Sequence, residues 1–421
     1  MDQGNTAFLL FAAAFVLLMT PGLAFFYGGL VKAKSVISMM MMSFGAIGLI
    51  GVLWVVYGYA VTFNSAEGTS PLFGIDTAAI NLNSLLEVPE GAAYPPLAFA
   101  AFQATFAILT VALVSGAIAD RAKFGAWMVF AAVWSTLVYF PVASWVFNFG
   151  LAEDGSFAYG GWITHGMQET FGVGAIDFAG GTAVHINAGA AALALALVLG
   201  KRVGFAKGAH VPHNPPFVLL GAGLLWFGWF GFNAGSELAA DGVAALAFIN
   251  TIAAPAAALL AWLVVEKIKD GKATSVGAAS GAVTGLVAIT PACASIDPIW
   301  AIVLGLIAGA VCALAIDLKF KLGFDDSLDV VGIHLIGGLI GTLYLGFFAN
   351  GTGLFMGGDA TQLLVQAIAA FSVLIYSFVG AFVIGLAIEK TIGFRVKNED
   401  EIAGIDTVVH GEEGYVFTEK V

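Results

Sequence analysis

Charged residues are scarce in this chain: only 10% of its 421 residues are Asp, Glu, Lys or Arg. A soluble globular domain averages about 25% charged residues, so this chain has too few to form an ordinary water-facing surface. The net charge of -12 and the lack of a basic stripe also exclude a nucleic-acid-binding protein. We therefore expect neither a soluble enzyme nor a disordered protein.

Cysteine is also scarce, with only Cys293 and Cys312 in the chain. Both lie in or beside apolar stretches, and no set of further metal ligands accompanies them. Two such thiols do not make the disulfide framework that stabilises small secreted domains. We expect two buried free thiols and no metal site.

Apolar residues and glycine are abundant instead. Hydrophobic residues make up 60% of the sequence, and 54 residues are glycine. The apolar residues form long runs, and about 20 such residues suffice for one helical crossing of a bilayer. Small residues let membrane helices pack closely. The sequence therefore predicts an all-α polytopic membrane protein held in a lipid bilayer of the cell membrane.

Eleven apolar segments are long enough to be transmembrane helices. They cover residues 8–31, 38–62, 97–119, 125–147, 177–200, 216–235, 243–265, 276–293, 299–317, 331–349 and 366–391. The first is not an obvious cleavable signal peptide, because the residues ahead of it offer no basic region.

The basic residues define an orientation. All 16 Lys and Arg residues follow odd-numbered spans, and none lies in the other loops. The positive-inside rule assigns such loops to the cytoplasm, so we expect the N-terminus outside and the C-terminus inside. The opposite loops carry acidic charge alone, for example Glu87, Glu237 and Asp359. We attribute this pattern to topology first and to attraction of cations second.

The spans divide into two halves of opposite topology. We predict a membrane domain over residues 1–395, with halves at 1–200 and 214–350, an extra helix at 366–391, and a cytoplasmic tail at 396–421. Membrane proteins built from inverted repeats hold their site near the midplane, at the repeat interface.

Two histidines lie at membrane depth, where polar groups are rare and usually functional. His185 lies in the fifth span and His334 in the tenth, each after an aspartate, Asp177 and Asp329. Equivalent positions in the two halves would bring the rings together. Burial disfavours imidazolium and two such ions repel, so at least one ring should stay neutral. A neutral pair suits a small polar solute or a proton relay; the competing interpretation is a structural pair that ties helices together.

Asp177, at the start of the fifth span, has two interpretations. Its carboxylate either caps the helix N-terminus, which we favour, or stabilises a cation in a site. The sixth span is rich in aromatic residues, among them Trp229 and Phe232, and aromatic faces attract cations. An aromatic membrane helix usually reflects packing alone, so this stretch says little by itself.

Several longer motifs together give the chain a family resemblance. The stretches are Thr20 to Tyr27, Phe102 to Phe106, Asp177 to Asn187, Gly228 to Ser236, Thr290 to Cys293, and Asp325 with Asp326 ahead of His334. They resemble the Amt/Mep/Rh ammonium transporter family, the bacterial Amt branch more than the Rh branch. The resemblance covers nearly the whole chain.

The resemblance implies an eleven-helix protomer that assembles as a homotrimer with one pore per subunit. The substrate would be ammonium or ammonia, with methylammonium as an analogue, and neither a cofactor nor an enzymatic activity is implied. By position, Phe106 and Ser236 match an outer recruitment site, and Phe106 and Phe232 match two rings that block the entrance. Three residues match the pore lining: Trp229, His185 and His334. Asp177 matches a carboxylate that the family requires.

One stretch departs from the family pattern. Where the family has a recruitment tryptophan at the outer end of the fourth span, this chain has Phe147, and the following loop carries extra residues. Phenylalanine binds cations more weakly than tryptophan. Either Trp145 or Trp162 supplies the missing ring, or the outer affinity is lower.

The expected function is therefore ammonium recruitment outside, deprotonation, and conduction of ammonia past the His pair, with or without separate proton transfer. The alternatives are an ammonium sensor without bulk flux and a gas channel like that suggested for Rh relatives. An intramembrane enzyme is disfavoured, because no nucleophile or paired acid accompanies the histidines. The resemblance also implies a tail that couples subunits and a PII-type signal protein as a cytoplasmic partner.

Overall fold

A computed structural model describes residues 1–64, 72–151, 157–205 and 211–415 of the chain. The described residues form a bundle of long apolar helices. Ten of these helices, within the described ranges, are long and apolar enough to cross a membrane, and a shorter apolar helix lies between the seventh and the last three. The all-α polytopic fold is thus confirmed.

We number these helices α1 to α11 in chain order. They are α1 Gln3–Leu30, α2 Ala33–Thr62, α3 Pro96–Ile118, α4 Phe124–Phe147, α5 Gly181–Leu199, α6 Pro215–Glu237, α7 Gly242–Asp270, α8 Ser275–Ile289, α9 Pro298–Leu322, α10 Val331–Phe348 and α11 Ala360–Thr391. We call the side with the loops after odd-numbered helices the basic face, and the opposite side the acidic face.

The observed helix ends differ from the predicted ends where side chains cap the helices. Helix α11 begins at Ala360, earlier than predicted, because the carboxylate of Asp359 accepts the backbone N–H of Thr361 at 2.7 Å. Helix α5 begins at Gly181, later than predicted, because the Asp177 side chain occupies the space ahead of its first turn. Hydropathy alone does not detect either cap.

Helices α1 and α6, the first of each half, pack directly against each other. A Cβ atom added to Gly221 of α6 would collide with the backbone of Phe26, and one added to Gly22 of α1 would lie 2.9 Å from the Leu224 side chain. Only glycine permits this approach of two backbones. The two predicted halves therefore meet along this pair of helices.

Helices α5 and α10 begin alike, each with a turn of π-helix that carries its histidine. These turns are Gly181–Ile186, with His185, and Val331–Leu335, with His334. Single π-helical turns are rare and occur often at functional sites. Each histidine thus lies in the distorted first turn of its helix.

In the second half, Asp326 rather than the nearer Asp329 has the place that Asp177 has in the first half. Asp326 accepts the backbone N–H of Val331 at 2.7 Å, so it caps α10 as Asp177 caps α5. Both capping residues precede their histidine by eight positions. Asp329 instead binds Lys319 at 2.5 Å.

The extra residues between α4 and α5 include an antiparallel hairpin of strands β1, Phe149–Leu151, and β2, Phe157–Gly160. The sequence analysis noted the insertion but not the strands. A π-helical turn, Trp162–Gly166, and a short helix, Met167–Phe171, lead from the hairpin towards α5.

The residues after α11 pack on the basic face of the same chain. Asp406 accepts the backbone N–H groups of Ile37 and Ser38 at 3.0 and 2.8 Å, at the start of α2. The hydroxyl of Tyr415 lies 2.9 Å from Nε2 of His213. These contacts join the tail to the start of α2 and to the loop that follows α5.

A fully buried arginine also holds the basic face together. Arg121 donates to the carbonyl of Asp325 and to the hydroxyl of Ser327, each at 2.5 Å. Burial lowers the pKa of Arg121 to about 10, so its guanidinium remains charged at neutral pH. Arg202 adds an ion pair to Asp325 at 2.9 Å.

The predicted orientation gives a first test. Cys293 and Cys312 are buried, so a cysteine at exposed Glu87, on the acidic face, or exposed Lys272, on the basic face, would be the one reactive thiol. We expect a membrane-impermeant maleimide added to intact cells to label Glu87→Cys and to leave Lys272→Cys unlabelled until the membrane is opened. Labelling of Lys272→Cys from outside would contradict the orientation.

Candidate functional site

A vestibule of about 880 Å³ opens at the acidic face. Phe106 and Phe147 line it from α3 and α4, and Ser236 lines it from the end of α6. These are three of the residues that the sequence analysis assigned to recruitment, and the fold brings them to one cavity. The vestibule therefore lies where the resemblance implies an outer binding site.

Two aromatic rings separate the vestibule from the interior. The rings of Phe106 and Phe232 stack with their centroids 4.1 Å apart and their planes 20° apart. Neither ring is more than 1% exposed. Phe147 packs its ring edge-on against Phe106 with centroids 6.2 Å apart. The stacked rings thus leave no exposed surface between them at the inner end of the vestibule.

The hydroxyl of Ser236 has a defined direction. It donates its hydrogen to the carbonyl oxygen of Phe232 at 2.8 Å. A hydroxyl has one hydrogen and two lone pairs, so towards the vestibule Ser236 presents an acceptor. It can hold a ligand that donates a hydrogen bond.

The two histidines meet beneath the rings. Nδ1 of His185 and Nδ1 of His334 lie 3.2 Å apart, and the ring centroids lie 5.3 Å apart. His185 is fully buried and His334 is 2% exposed. A hydrogen bond at this contact requires one Nδ1 to carry a hydrogen and the other to be bare. The pair is therefore asymmetric, and at least one of its rings is neutral.

Other rings place the histidine pair in a continuous aromatic column. The ring of His185 lies 6.1 Å from that of Phe232 and 5.4 Å from that of Trp229. The indole N–H of Trp229 donates to the hydroxyl of Thr290 at 2.8 Å, which holds this ring in position. Phe106, Phe232, His185 and His334 thus follow one another inward from the vestibule.

The carboxylate of Asp177 is fully engaged by the start of α5. It accepts backbone N–H groups from Gly180 at 3.0 Å, Thr182 at 2.8 Å and Ala183 at 3.2 Å, and it also accepts Gly181 and the Thr182 hydroxyl. A carboxylate has about four lone-pair sites, so these donors saturate it. This geometry favours the capping interpretation over direct contact with a cation.

Neither tryptophan offered as a substitute for Phe147 lines the vestibule. Trp145 is 4% exposed, and its indole N–H donates to the carbonyl of Leu72 at 2.7 Å. Its ring packs against those of Tyr376 and Trp162, with centroids 4.7 and 5.7 Å away. Phe147, in contrast, lines the vestibule.

The sequence analysis missed two glutamines at the start of α11. Gln366 is fully buried and donates to the carbonyls of Ile176 and Thr342 at 2.8 and 2.9 Å. Gln362 lies one turn earlier and lines the vestibule. The sequence did contain a signal, since two polar residues four positions apart in an apolar helix lie on one face. We did not detect it because the predicted helix began at residue 366, after Gln362.

A bundle of membrane helices with a largely apolar vestibule that carries a few polar groups, two stacked rings and a buried pair of histidines indicates a transport protein for a small polar solute. Within the described ranges, no three His, Cys, Asp or Glu side chains are grouped so that they would hold a metal ion.

Comparison with known proteins identifies the family. The model of the Ammonium Transporter Family matches residues 7–415, and the chain belongs to this family. An ammonium transporter of Mycobacterium tuberculosis is 52% identical over 99% of this chain and 91% of that protein. One of Bacillus subtilis is 44% identical over 99% of both chains. The chain is thus a multi-pass membrane protein of the cell membrane.

Solved structures agree with this family. A structure named Sensor Amt Protein superposes with a TM-score of 0.86 at 28% identity and covers 97% of this chain and 98% of its own. Mep2 of Candida albicans superposes with a TM-score of 0.84 at 30% identity, over 95% of this chain and 88% of its own. The fold is therefore that of the Amt and Mep proteins.

The saturated carboxylate of Asp177 predicts a stability effect. Asp177→Ala would leave several buried N–H groups unpaired, and one such group costs about 1–3 kcal/mol. We expect a loss on the order of 3 kcal/mol, measured as a lower thermal unfolding temperature of the purified protein in detergent. Asp177→Asn keeps one acceptor oxygen and should lose less. An Ala variant as stable as the wild type would contradict the capping role.

Proposed function

We propose that this protein recruits ammonium in the vestibule, deprotonates it, and conducts ammonia past His185 and His334. The observation that carries the proposal is the 3.2 Å contact between the two Nδ1 atoms beneath the stacked rings. Membership of an ammonium transporter family supports the substrate.

Recruitment uses acceptors and aromatic faces together. Ammonium donates hydrogen bonds, and Ser236 presents an acceptor beside the ring of Phe106. Potassium has a similar size but cannot donate a hydrogen bond. Cation–π attraction adds about 0.5–2 kcal/mol for each ring. The acidic loops around the vestibule raise the local cation concentration further.

Passage beyond the rings favours the uncharged base. An ion that enters an apolar passage loses its hydration shell without compensation. The free-energy cost of this transfer is far higher than that of transferring a neutral amine. Ammonia can both donate and accept a hydrogen bond, so it can bind along two imidazoles that share one hydrogen. The proton either follows by a separate route, which makes transport electrogenic, or stays outside.

Removal of either histidine tests the relay. We expect His185→Ala and His334→Ala to abolish methylammonium uptake by proteoliposomes, or to admit potassium, because the hydrogen-bonding path is broken and a cavity opens. Uptake of labelled methylammonium and solid-supported-membrane currents with ammonium and with potassium would measure both outcomes. We expect no potassium current in the wild type.

His165→Ala is the matched control for these variants. His165 lies at the acidic face beside Glu169, 3.6 Å away, and it does not line the vestibule. We expect this variant to transport like the wild type. Unchanged uptake and unchanged selectivity in both relay variants would remove the His pair from the mechanism.

Replacing Phe147 with tryptophan should raise the affinity for ammonium. Phe147→Trp places a ring with a stronger cation–π attraction in the vestibule. We expect the half-saturating ammonium concentration to fall about twofold to fivefold, with little change in the maximal current. Trp145→Phe is the comparison, because Trp145 is buried away from the vestibule. A larger effect of Trp145→Phe would assign recruitment to Trp145 instead.

An ammonium sensor is a second candidate, since one structural neighbour is named Sensor Amt Protein. A sensor would bind ammonium without bulk flux, so uptake by wild-type proteoliposomes separates it from a transporter. The other alternative is an Rh-like gas channel. Carbon dioxide donates no hydrogen bond, so its conduction would not depend on the acceptor oxygen of Ser236.

We further propose that the protein works as a homotrimer, with a PII-type signal protein as its partner on the basic face. The family resemblance supports the trimer. The tail, which joins the start of α2 and the loop after α5 through Asp406 and Tyr415, supports communication across that face.

A further inference from the structure

The vestibule is lined by two carboxyl groups that differ in what they bind. Within the described residues these are Asp177 and Glu237, and no Lys, Arg or His of those residues lines this cavity. The Asp177 carboxylate is saturated by the start of α5. Glu237 is half-buried and directly follows Ser236, in the 3₁₀ turn Gly235–Glu237 that ends α6. Glu237 is therefore the carboxyl group that can meet a cation in the vestibule.

Glu237 shares a hydrogen with Asp241. The two carboxyl groups are hydrogen-bonded to each other. Two carboxylate ions offer only acceptors, so one of the two groups must carry a hydrogen. Asp241 caps α7, and its Oδ1 accepts the N–H groups of Val243 and Ala244 at 2.9 and 3.1 Å, which favours a carboxylate at this position. The hydrogen therefore lies on Glu237, which donates it to Asp241.

The side chain of Gln103, on α3, independently indicates a ligand near this turn. Gln103 is 7% exposed and lines the vestibule, and its amide makes no hydrogen bond within the described residues. Its amide atoms keep accessible surface, whereas the unpaired atoms of Thr164, Thr352 and Gln362 are enclosed. A nearly buried amide without a partner is uncommon in native proteins. The amide of Gln103 is thus open to a ligand in the vestibule.

Gln103 and Ser236 lie at the same level, directly outside the stacked rings. Gln103 precedes Phe106 by three positions on α3, and Ser236 follows Phe232 by four positions on α6. Residues three or four apart share a helix face, so both lie one turn outward of rings whose centroids are 4.1 Å apart. A small cation between α3 and α6 therefore meets the oxygens of both side chains, with Glu237 beside it.

We propose that Glu237 is a further recruitment residue, whose carboxylate balances the charge of ammonium held between Ser236 and Gln103. The inference rests on the proposed function and adds the negative charge that the two uncharged acceptors lack. Ammonium offers N–H donors to all three side chains. A carboxylate oxygen that accepts from ammonium cannot also keep its own hydrogen. Ammonium binding therefore releases the proton that Glu237 shares with Asp241 to the water of the vestibule.

The elements packed around Glu237 carry few other ionisable groups. Within the described residues these are the terminal amine and Asp2 at the start of α1, Tyr94 ahead of α3, Asp177 ahead of α5, Asp241 ahead of α7 and Cys293 after α8. A test of the shared proton must separate Glu237 and Asp241 from this background.

Glu237→Gln tests the carboxylate, and Glu87→Gln is the matched control. Glu87 is an exposed glutamate of the same face that does not line the vestibule, so its variant loses the same charge elsewhere. Binding of methylammonium chloride to the purified full-length protein is measured by titration calorimetry in phosphate and in HEPES buffer, from about pH 6 to about pH 8. The dependence of the heat on the buffer gives the number of protons released. Half-saturating concentrations for uptake by proteoliposomes are measured at the same pH values.

We expect the affinity of the wild type for methylammonium to rise with pH, by at most about tenfold per pH unit, because one proton is released. In Glu237→Gln the affinity at about pH 8 should fall about fivefold to thirtyfold, the range for one charge-assisted hydrogen bond, and the proton release should disappear. Any pH dependence that remains in this variant belongs to the other ionisable groups. Glu87→Gln should match the wild type.

Asp241→Asn separates the shared proton from a general effect of charge. Asparagine keeps an oxygen that caps α7. Without a second carboxylate to repel its charge, Glu237 gives up its hydrogen more readily, so the rise in affinity should shift to lower pH. Gln103→Met should weaken binding equally at every pH and leave the proton release unchanged. A pair with a structural role alone would not shift the pH profile.

Equal affinity and equal proton release in the wild type and in Glu237→Gln would overturn the inference. An equal loss of affinity in Glu87→Gln would also overturn it, because the effect would then come from the charge of the whole acidic face. Failure of the proposed function has a different signature: methylammonium would bind and release the proton, and Glu237→Gln would abolish that release, but wild-type proteoliposomes would take none up.

Discussion

The contact between the Nδ1 atoms of His185 and His334 constrains the rest of the interior. It brings together the first turns of two helices from different halves, and each of these turns is π-helical. It requires a carboxylate ahead of each helix to bind the free N–H groups, which Asp177 and Asp326 provide. The stack of Phe106 on Phe232 lies between this buried pair and the vestibule.

Much of this architecture follows from composition and charge. Long apolar runs predicted the helices, and equivalent positions in two halves predicted that His185 and His334 would meet. Helix ends were less predictable, because a capping residue such as Asp359 acts through one hydrogen bond and does not change the hydropathy of the apolar segment. Adjacency in sequence also cannot tell a capping carboxylate, such as Asp326, from one that binds a lysine, such as Asp329.

The vestibule was predictable only in part. Phe106, Phe147 and Ser236 could be named from the family pattern, and the fold brings them to one cavity. Gln362 was not named, because the predicted start of α11 at residue 366 left it outside the helix. The aromatic and acidic features of the sequence indicate the approach of a cation, whereas the selective step depends on geometry between distant residues.

The central claim is that the two imidazoles are uncharged and share one hydrogen at neutral pH. Solid-state NMR of the ¹⁵N-histidine-labelled protein in lipid bilayers measures this directly, with His185→Ala and His334→Ala spectra to assign the signals. From about pH 6 to about pH 8, we expect two neutral rings of opposite Nδ1 protonation, coupled to each other. An imidazolium signal from both rings at neutral pH, or two rings without coupling, would contradict the account.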